Sequence, residues 1–179
     1  MNWPILNVTN LDFGFSEGFP KMRRLILGAS ISLLIASGLA AADRWTRYEN
    51  GRFQYVLEVP PGYSAISEAE NGDGGVSSSA DGTAELRVWG GYILEGDFST
   101  EIASRIAGDK SDGWTISYDS RHSRSASWSG SKGGRIIYYR AIIGCDGAAD
   151  YFSLEYPNVD LKSNDPIIAR LVKSFRSAC

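Results

Sequence analysis

Residues 135–157, RIIYYRAIIGCDGAADYFSLEYP, decide the fold of this chain. Arg135–Cys145 is apolar on both faces of an extended strand, which is typical of a central strand that is covered on both sides. Asp146-Gly147 predicts a tight turn. Asp150–Tyr156 then alternates apolar and polar side chains and stops at Pro157, which indicates a strand with one inward face. We therefore predict two successive strands in the middle of a sheet.

Further strands are predicted on the N-terminal side of this stretch. Arg52–Val59 (RFQYVLEV) alternates apolar and polar side chains and ends at two prolines, which cannot donate to a strand ladder. Thr83–Tyr92 (TAELRVWGGY) is a second such strand, with its aliphatic residues on one face and Arg87 and Trp89 on the other. Two shorter strands are predicted at residues 114–119 and 122–129.

Two helices and one long loop complete the pattern. Asp97 or Ser99 can cap a helix that runs to about Ala107. Asn164-Asp165-Pro166 predicts the start of a C-terminal helix, because Asn can cap it and Pro fits its first turn. Residues 70–82 (ENGDGGVSSSADG) are interpreted as a loop, since Gly, Ser and Asp dominate them. This order predicts an α+β fold in which helices cover an antiparallel sheet of about six strands.

Several of these segments resemble a known fold family. The opening RFQYVLEVPPGY, the mid-chain helix, and the endings YFSLEYP and DPIIARLVKSFR are similar to the PsbP-like family, which includes the extrinsic photosystem II subunit and a Ran-binding nuclear import factor. The segments AENGDG, SADGTAELRVWG and IIARLVKSFR resemble small uncharacterised secreted proteins of Gram-negative bacteria. The resemblance implies a PsbP-like fold and an accessory or binding role. It carries no functional residue over to this chain.

A secretory leader is predicted ahead of this fold, at KMRRLILGASISLLIASGLAAAD (residues 21–43). Two arginines precede an apolar run of about 15 residues, shorter than a membrane-spanning helix, and three alanines offer a signal-peptidase site. We predict an upstream extension at 1–21, a signal peptide at 22–42 starting at Met22, and one α+β domain at 43–179. The alternatives are a start at Met1 and an uncleaved anchor. The expected location is periplasmic or secreted, with no stable membrane anchor after cleavage.

The charge of the predicted domain argues against polyanionic partners. The full chain has a formal net charge of −3. Residues 1–42 hold three basic and two acidic side chains, so residues 43–179 carry −4. A mildly acidic domain without a basic block is a poor candidate for binding nucleic acid or an anionic membrane.

Both cysteines, Cys145 and Cys179, lie in the predicted domain. In an oxidising compartment such a pair is a candidate disulfide. The bridge would tie the C-terminal end of the chain onto a strand. The alternative is a buried thiol at Cys145 and a frayed C-terminus.

Residues that could carry chemistry are few. His122 is the single histidine, and Ser129-Gly-Ser-Lys132 matches a Ser-x-x-Lys pattern without the helix that usually holds it. Asn71 and Asp73 resemble half of an EF-hand loop whose first and last ligands are missing. We therefore predict no catalytic site, no metal site and no cofactor.

The carboxylates are scattered along the chain. A glycosidase needs two of them facing each other across a cleft, at about 5 to 10 Å. We interpret Glu85 with Arg87, and Arg140 with Glu155, as cross-strand ion pairs instead.

Arg87, Trp89 and Tyr92 are the candidate binding residues. Trp and Arg anchor many protein interfaces, so an uncovered sheet face would make these three a contact patch. The alternative is that a helix covers them as core. The resulting hypothesis is a non-catalytic periplasmic binding or accessory module with a protein partner in the envelope. The alternatives are a small hydrolase with a dispersed acid and serine site, and a structural envelope component.

Overall fold

A computed structural model describes residues 44–179; the predicted extension and signal peptide lie outside the described residues. The strands are β1 (Thr46–Glu49), β2 (Tyr55–Val59), β3 (Ser67–Glu68), β4 (Gly74–Ser78), β5 (Glu85–Tyr92), β6 (Thr115–Arg121), β7 (Ser125–Lys132), β8 (Arg135–Ile143), β9 (Ala148–Pro157) and β10 (Arg176–Ser177). The helices are α1 (Phe98–Ser111) and α2 (Leu161–Ser174). Within this region no helix is both long and apolar enough to cross a membrane.

Seven strands form one antiparallel sheet in the order β3-β4-β5-β9-β8-β7-β6. The predicted pair of strands, β8 and β9, lies near its middle, joined by a turn in which Asp146 and Gly147 have φ values of 52° and 79°. The amide of Ala148 closes this turn by donating to the carbonyl oxygen of Cys145 at 2.9 Å. The predicted α+β fold with a helix-covered antiparallel sheet is confirmed, with seven strands in this sheet.

A second, smaller sheet has the order β1-β2-β10, with antiparallel pairing throughout. It packs on one face of the large sheet together with α2; we call this face the α2 face. The buried side chains between them include Tyr55, Leu57, Leu86, Val88, Phe152, Leu154, Tyr156, Leu171 and Phe175. Burying one large apolar side chain contributes about 1.5–3 kcal/mol, so this cluster is the main core.

The opposite face of the large sheet, the α1 face, is covered by α1. This helix begins as predicted after Asp97, whose Oδ1 accepts a hydrogen bond of 2.8 Å from the amide of Thr100. Phe98, Ile102 and Ile106 then bury one stripe of the helix against the sheet. One helix of 14 residues covers only part of this face. The rest of the face stays accessible beside the C-terminal half of α1.

The segment at residues 70–82 is not the loop that its composition predicts. It contains β4, which pairs with β3 and β5. Glycine is required there by close backbone approach, because a Cβ on Gly74 would lie 1.9 Å from the carbonyl oxygen of Val88. A Cβ on Gly75 would lie 2.2 Å from the carbonyl oxygen of Ser67. The glycines therefore mark close strand packing, a second use of glycine in sheets.

The predicted start of α2 at Asn164-Asp165-Pro166 is wrong. The helix begins at Leu161, after a 3₁₀ turn at Asn158–Asp160, and Pro166 lies inside it. Asn164 does not cap the helix; its Nδ2 donates to the carbonyl oxygen of Asp160 at 2.9 Å. Tertiary packing of the apolar helix face on β2 outweighs the one backbone hydrogen bond that Pro166 removes.

The predicted disulfide between Cys145 and Cys179 is present. The two Cα atoms are 5.9 Å apart, within the usual range for a disulfide of about 4.4–6.8 Å. The bridge fixes the segment after β10 to the turn between β8 and β9. It therefore joins the small sheet covalently to the large one.

Candidate functional site

The uncovered part of the α1 face forms a cleft of about 450 Å³ between the sheet and the C-terminal half of α1. Its aromatic lining residues are Trp89, Trp114, Trp128 and Tyr139, and its charged ones are Glu85, Arg87, Arg105, Asp109, Asp112 and Glu155. We call this the aromatic cleft. Its volume lies in the range of about 300–1,000 Å³ that is typical of ligand pockets.

Trp89 is fixed in the wall of the aromatic cleft. Its ring stacks on Tyr151 with centroids 5.2 Å apart, and it meets the ring of Tyr139 edge-on at 6.4 Å. The guanidinium of Arg105 lies 5.9 Å from the Trp89 centroid and 4.0 Å from that of Tyr151. The guanidinium of Arg105 on α1 thus lies over both stacked rings. Trp89 remains partly exposed.

Arg87 and Trp89 line the same cleft, because residues two apart on β5 point to the same face. The Arg87 side chain is 61% exposed, and its Nε contacts Oε1 of Glu85 at 2.5 Å. This ion pair runs along one strand rather than across two. Arg87 is therefore an exposed, ion-paired cation at the mouth of the cleft, beside a ring that is held in place.

Tyr92 lies elsewhere. It stands three residues from Trp89 on β5 and so faces the opposite side of the sheet. Its ring packs on Phe53 with centroids 5.3 Å apart and is 55% exposed. The structure thus brings together Arg87 and Trp89 and places Tyr92 on the α2 face.

Asp109 links the helix to the floor of the cleft. Its Oδ2 accepts a hydrogen bond of 2.7 Å from Nε1 of Trp128, whose ring is fully buried and stacked on Tyr139 at 4.7 Å. Burial raises the pKa of Asp109, and hydrogen bonds from Trp128 and Tyr139 offset this only in part. This carboxyl is held firmly and is partly desolvated, which strengthens its contact with any hydrogen-bond donor that enters the cleft.

Glu85 and Glu155 face each other across β5 and β9 at the cleft wall. Two like charges in register repel, and each is neutralised by its own arginine: Glu85 by Arg87 and Glu155 by Arg135. The predicted partner of Glu155, Arg140, is wrong, because Arg140 lies on the other face of β8 and donates to Ser127 Oγ at 3.1 Å. The cleft thus offers aromatic surfaces edged by charges of both signs.

The residues that could have formed a catalytic set do not converge. Ser129 and Lys132 stand three apart on β7, so their side chains leave opposite faces of the strand. Lys132 Nζ donates to the carbonyl oxygen of Asp112 at 2.6 Å. His122 is exposed, with Nε2 3.4 Å from Oγ of Ser120.

Sequence reasoning missed most of the cleft residues. Trp114, Trp128, Tyr139, Arg105 and Asp109 come from four different segments, and they meet only because β7, β8 and α1 stack in this register. The available signal was the strand period: Trp128 and Tyr139 are directly paired across β7 and β8. A pairing of these two strands inferred from the sequence would have placed both rings on one face.

An antiparallel sheet with one helix on each face, plus an aromatic cleft beside the first helix, defines an α+β fold with one open face. The chain matches no family model. No curated protein matches it.

Two solved structures are similar to this chain and show its fold. CyanoP, the cyanobacterial PsbP of Synechocystis sp. PCC 6803, superposes with a TM-score of 0.57 at 14% identity, over 81% of this chain and 98% of CyanoP. Mog1p, a Ran-binding protein of Saccharomyces cerevisiae, gives a TM-score of 0.56 at 9% identity, over 75% of this chain and 96% of Mog1p. Similarity at these identities shows the fold alone. The chain has the PsbP-like fold that its sequence predicts.

Proposed function

We propose that this protein is an exported, non-catalytic binding module of the cell envelope that captures a protein partner at the aromatic cleft. The observation that carries the proposal is the arrangement of Trp89 and Arg87, a ring held by stacking beside an exposed guanidinium that is paired with Glu85. Trp and Arg are the residues most enriched at interface hot spots. A ring that is already stacked loses little freedom on binding, which favours affinity.

The comparison with Mog1p supports this role by analogy only. Mog1p is a Ran-binding protein and shares the fold, so this scaffold is able to support protein recognition. The assignment of the aromatic cleft in this chain rests on Trp89, Arg87 and Arg105.

Export is the second element of the proposal. The leader at residues 22–42 and the Cys145–Cys179 bridge both support it, because disulfides persist in oxidising compartments. We expect cleavage before Asp43 or after Ala40. Intact-mass measurement of protein from the periplasm tests this expectation, and a mass that retains Met22–Ala42 would contradict it.

A site-specific crosslinker tests the binding surface. We would place a photo-activatable phenylalanine at position 87 and, in a matched protein, at position 121. Arg121 is an appropriate control because it also pairs with a carboxylate two residues earlier, Asp119, but lies on the edge strand β6 outside the cleft. We expect a single discrete adduct from position 87 in cells and none from position 121. Adducts from both positions, or from neither, would argue against the cleft.

Substitutions then separate binding from stability. Trp89→Ala should weaken capture of the crosslinked partner by about 1 kcal/mol or more, on the scale of a hot spot. Tyr92→Ala on the opposite face should leave capture unchanged. Unfolding curves for both variants check that the fold persists. If Ser131→Ala or His122→Ala abolishes a hydrolytic activity while Trp89→Ala leaves capture intact, the enzyme alternative replaces this proposal.

A further inference from the structure

A second opening lies on the α2 face, between α2 and the outer surface of the small sheet. It is an open groove with a volume of about 740 Å³. Val56, Pro166 and Ala169 are apolar residues of its lining. Its charged residues are Arg47, Glu58, Arg170, Lys173 and Arg176. We call it the basic groove, since four cations face one carboxylate there.

The four cations converge through topology. Arg47 of β1 is paired in register with Glu58 of β2, and Arg176 of β10 is paired with Val56. Arg170 and Lys173 stand one helical turn apart on α2. The four cations lie on β1, α2 and β10, far apart in the sequence. The acidic net charge of the chain therefore gives no sign of a local basic site.

Two of the four cations are already neutralised. Arg170 Nε contacts Oε2 of Glu58 at 2.7 Å and its guanidinium lies over the ring of Trp45 at 4.5 Å. Arg47 pairs with Glu49 at 2.9 Å. Lys173 and Arg176 are exposed, and within residues 44–179 neither forms an ion pair.

The pKa of Glu58 reflects the positive charges around it. The pKa of its carboxyl lies below the usual value, first because Arg170 hydrogen-bonds to it and further because Arg176 and Lys173 lie nearby. The charged form of a carboxyl is thus favoured in this groove. A carboxylate or phosphate brought by a ligand would experience the same attraction.

We propose that the basic groove binds a small anionic amphiphile, with its carboxylate or phosphate head at Lys173 and Arg176 and its apolar body along the exposed Pro166 and Ala169. The exposed positive charges of Lys173 and Arg176 favour an anionic ligand. The apolar wall selects a ligand with a hydrocarbon part, because a hydrated inorganic anion gains nothing from it. The volume lies in the range of about 300–1,000 Å³ that suits a small molecule.

Calorimetric titration of the full protein with four probes below their micelle concentrations tests the proposal. The probes are decanoate, decyl phosphate, the neutral decyl maltoside, and acetate, which has the head without the body. At least one of the two anionic decyl compounds should bind about tenfold or more tightly than the neutral compound and acetate, a difference of about 1.4 kcal/mol. A preference for decanoate indicates a fatty-acid ligand, and a preference for decyl phosphate indicates a lipid-phosphate head.

Charge reversal locates the head group. Lys173→Glu/Arg176→Glu should weaken binding of the anionic probe about tenfold or more, whereas Lys110→Glu/Arg124→Glu, with the same charge change at exposed positions outside the groove, should change it less than about twofold. If the reversal variant fails to fold, Lys173→Gln/Arg176→Gln replaces it. Equal binding of the neutral probe, an unaffected reversal variant, or binding of tetraglutamate but of no decyl anion would each overturn the proposal.

Discussion

Trp128 and Asp109 connect the sheet to helix α1 through one hydrogen bond, 2.7 Å from Nε1 to Oδ2. The donor is a fully buried indole on β7, and the acceptor is a carboxyl on the last turns of α1. Burial raises the pKa of Asp109, while this bond acts in the opposite direction. The pair therefore links the position of α1 to the pKa of a carboxyl at the floor of the cleft.

Trp128→Phe should separate these two effects. The variant keeps an aromatic ring against Tyr139 and removes the donor, so we expect a loss in the free energy of unfolding of about 1–3 kcal/mol. The pKa of Asp109 should rise further, because a bond that favours the charged carboxylate is lost. Urea denaturation and an NMR titration of the Asp109 carboxyl measure the two quantities. Trp114→Phe is the control, and an unchanged Asp109 pKa in Trp128→Phe would contradict the assignment.

Asp150 should make stability depend on pH. Its side chain is fully buried, neither oxygen has a hydrogen-bond partner within the described region, and burial raises its pKa to about 7. The unfolded chain has a pKa near 3.9, so between about pH 4 and pH 7 the folded state holds a proton that the unfolded state has released. This contribution to the free energy of unfolding is full at low pH and falls as pH rises, by at most about 1.4 kcal/mol per unit.

Asp150→Asn provides the measurement. The amide has the same shape and no charge, so its unfolding free energy should lack this decline across the same window. Urea denaturation from pH 4 to pH 8 compares the two proteins, with the exposed Asp112→Asn as the matched control. Parallel pH profiles for the parent protein and Asp150→Asn would show that the carboxyl ionises normally in the fold.

The Cys145–Cys179 bridge should be a large part of the stability. It spans 34 residues, and loop-closure entropy assigns such a bridge about 3–4 kcal/mol. Cys145→Ser/Cys179→Ser should therefore unfold at clearly lower denaturant, and dithiothreitol should destabilise the parent protein and not the variant. Thiol counting under denaturing, non-reducing conditions should find no free thiol. Two free thiols in exported protein would refute the bridge.

Gly74→Ala tests the close approach of β4 and β5. The new methyl group would lie 1.9 Å from the carbonyl oxygen of Val88, so the strands must separate. We expect a loss of about 1–3 kcal/mol or more, the scale of overpacking. Gly91→Ala on β5 is the control, because a Cβ there meets nothing within 4 Å. Equal thermal stability of the two variants would mean that β4 is not held as described.

The elements that could be predicted are those specified by local patterns. The β8–β9 pair follows from an apolar run, an Asp-Gly turn and a proline stop, all within 23 residues of sequence. Helix α1 follows from its cap at Asp97. In each case the signal lies inside the element or next to it, so no distant contact has to be known.

The elements that could not be predicted depend on distant contacts. Strand β4 reads as a loop, because its glycines are selected by Val88 and Ser67 rather than by a turn. The small sheet needs β2 to meet β10 from the other end of the domain. Helix α2 starts earlier than its capping signal, because it continues directly from the 3₁₀ turn at Asn158–Asp160.

The residues of the two candidate sites also differ in how far local sequence patterns predict their positions. The period of β5 places Arg87 and Trp89 together, and the same period applied with care excludes Tyr92 from their face. The rest of the aromatic cleft requires the register of β7 and β8 and the position of α1. The basic groove has no sequence signal, because Arg47, Lys173 and Arg176 become neighbours only in the folded chain.

Strand β2 is completed by a strand from the opposite end of the described region. Its Glu58 amide donates to Oγ of Ser174, 116 residues later, and its Val56 pairs with Arg176. A ribosome or an export channel releases a chain from its N-terminal end, so the edge of β2 that faces β10 stays open until α2 and β10 have emerged. The small sheet therefore closes only after β10 has emerged, so the domain completes its fold after this segment has been made rather than during its synthesis.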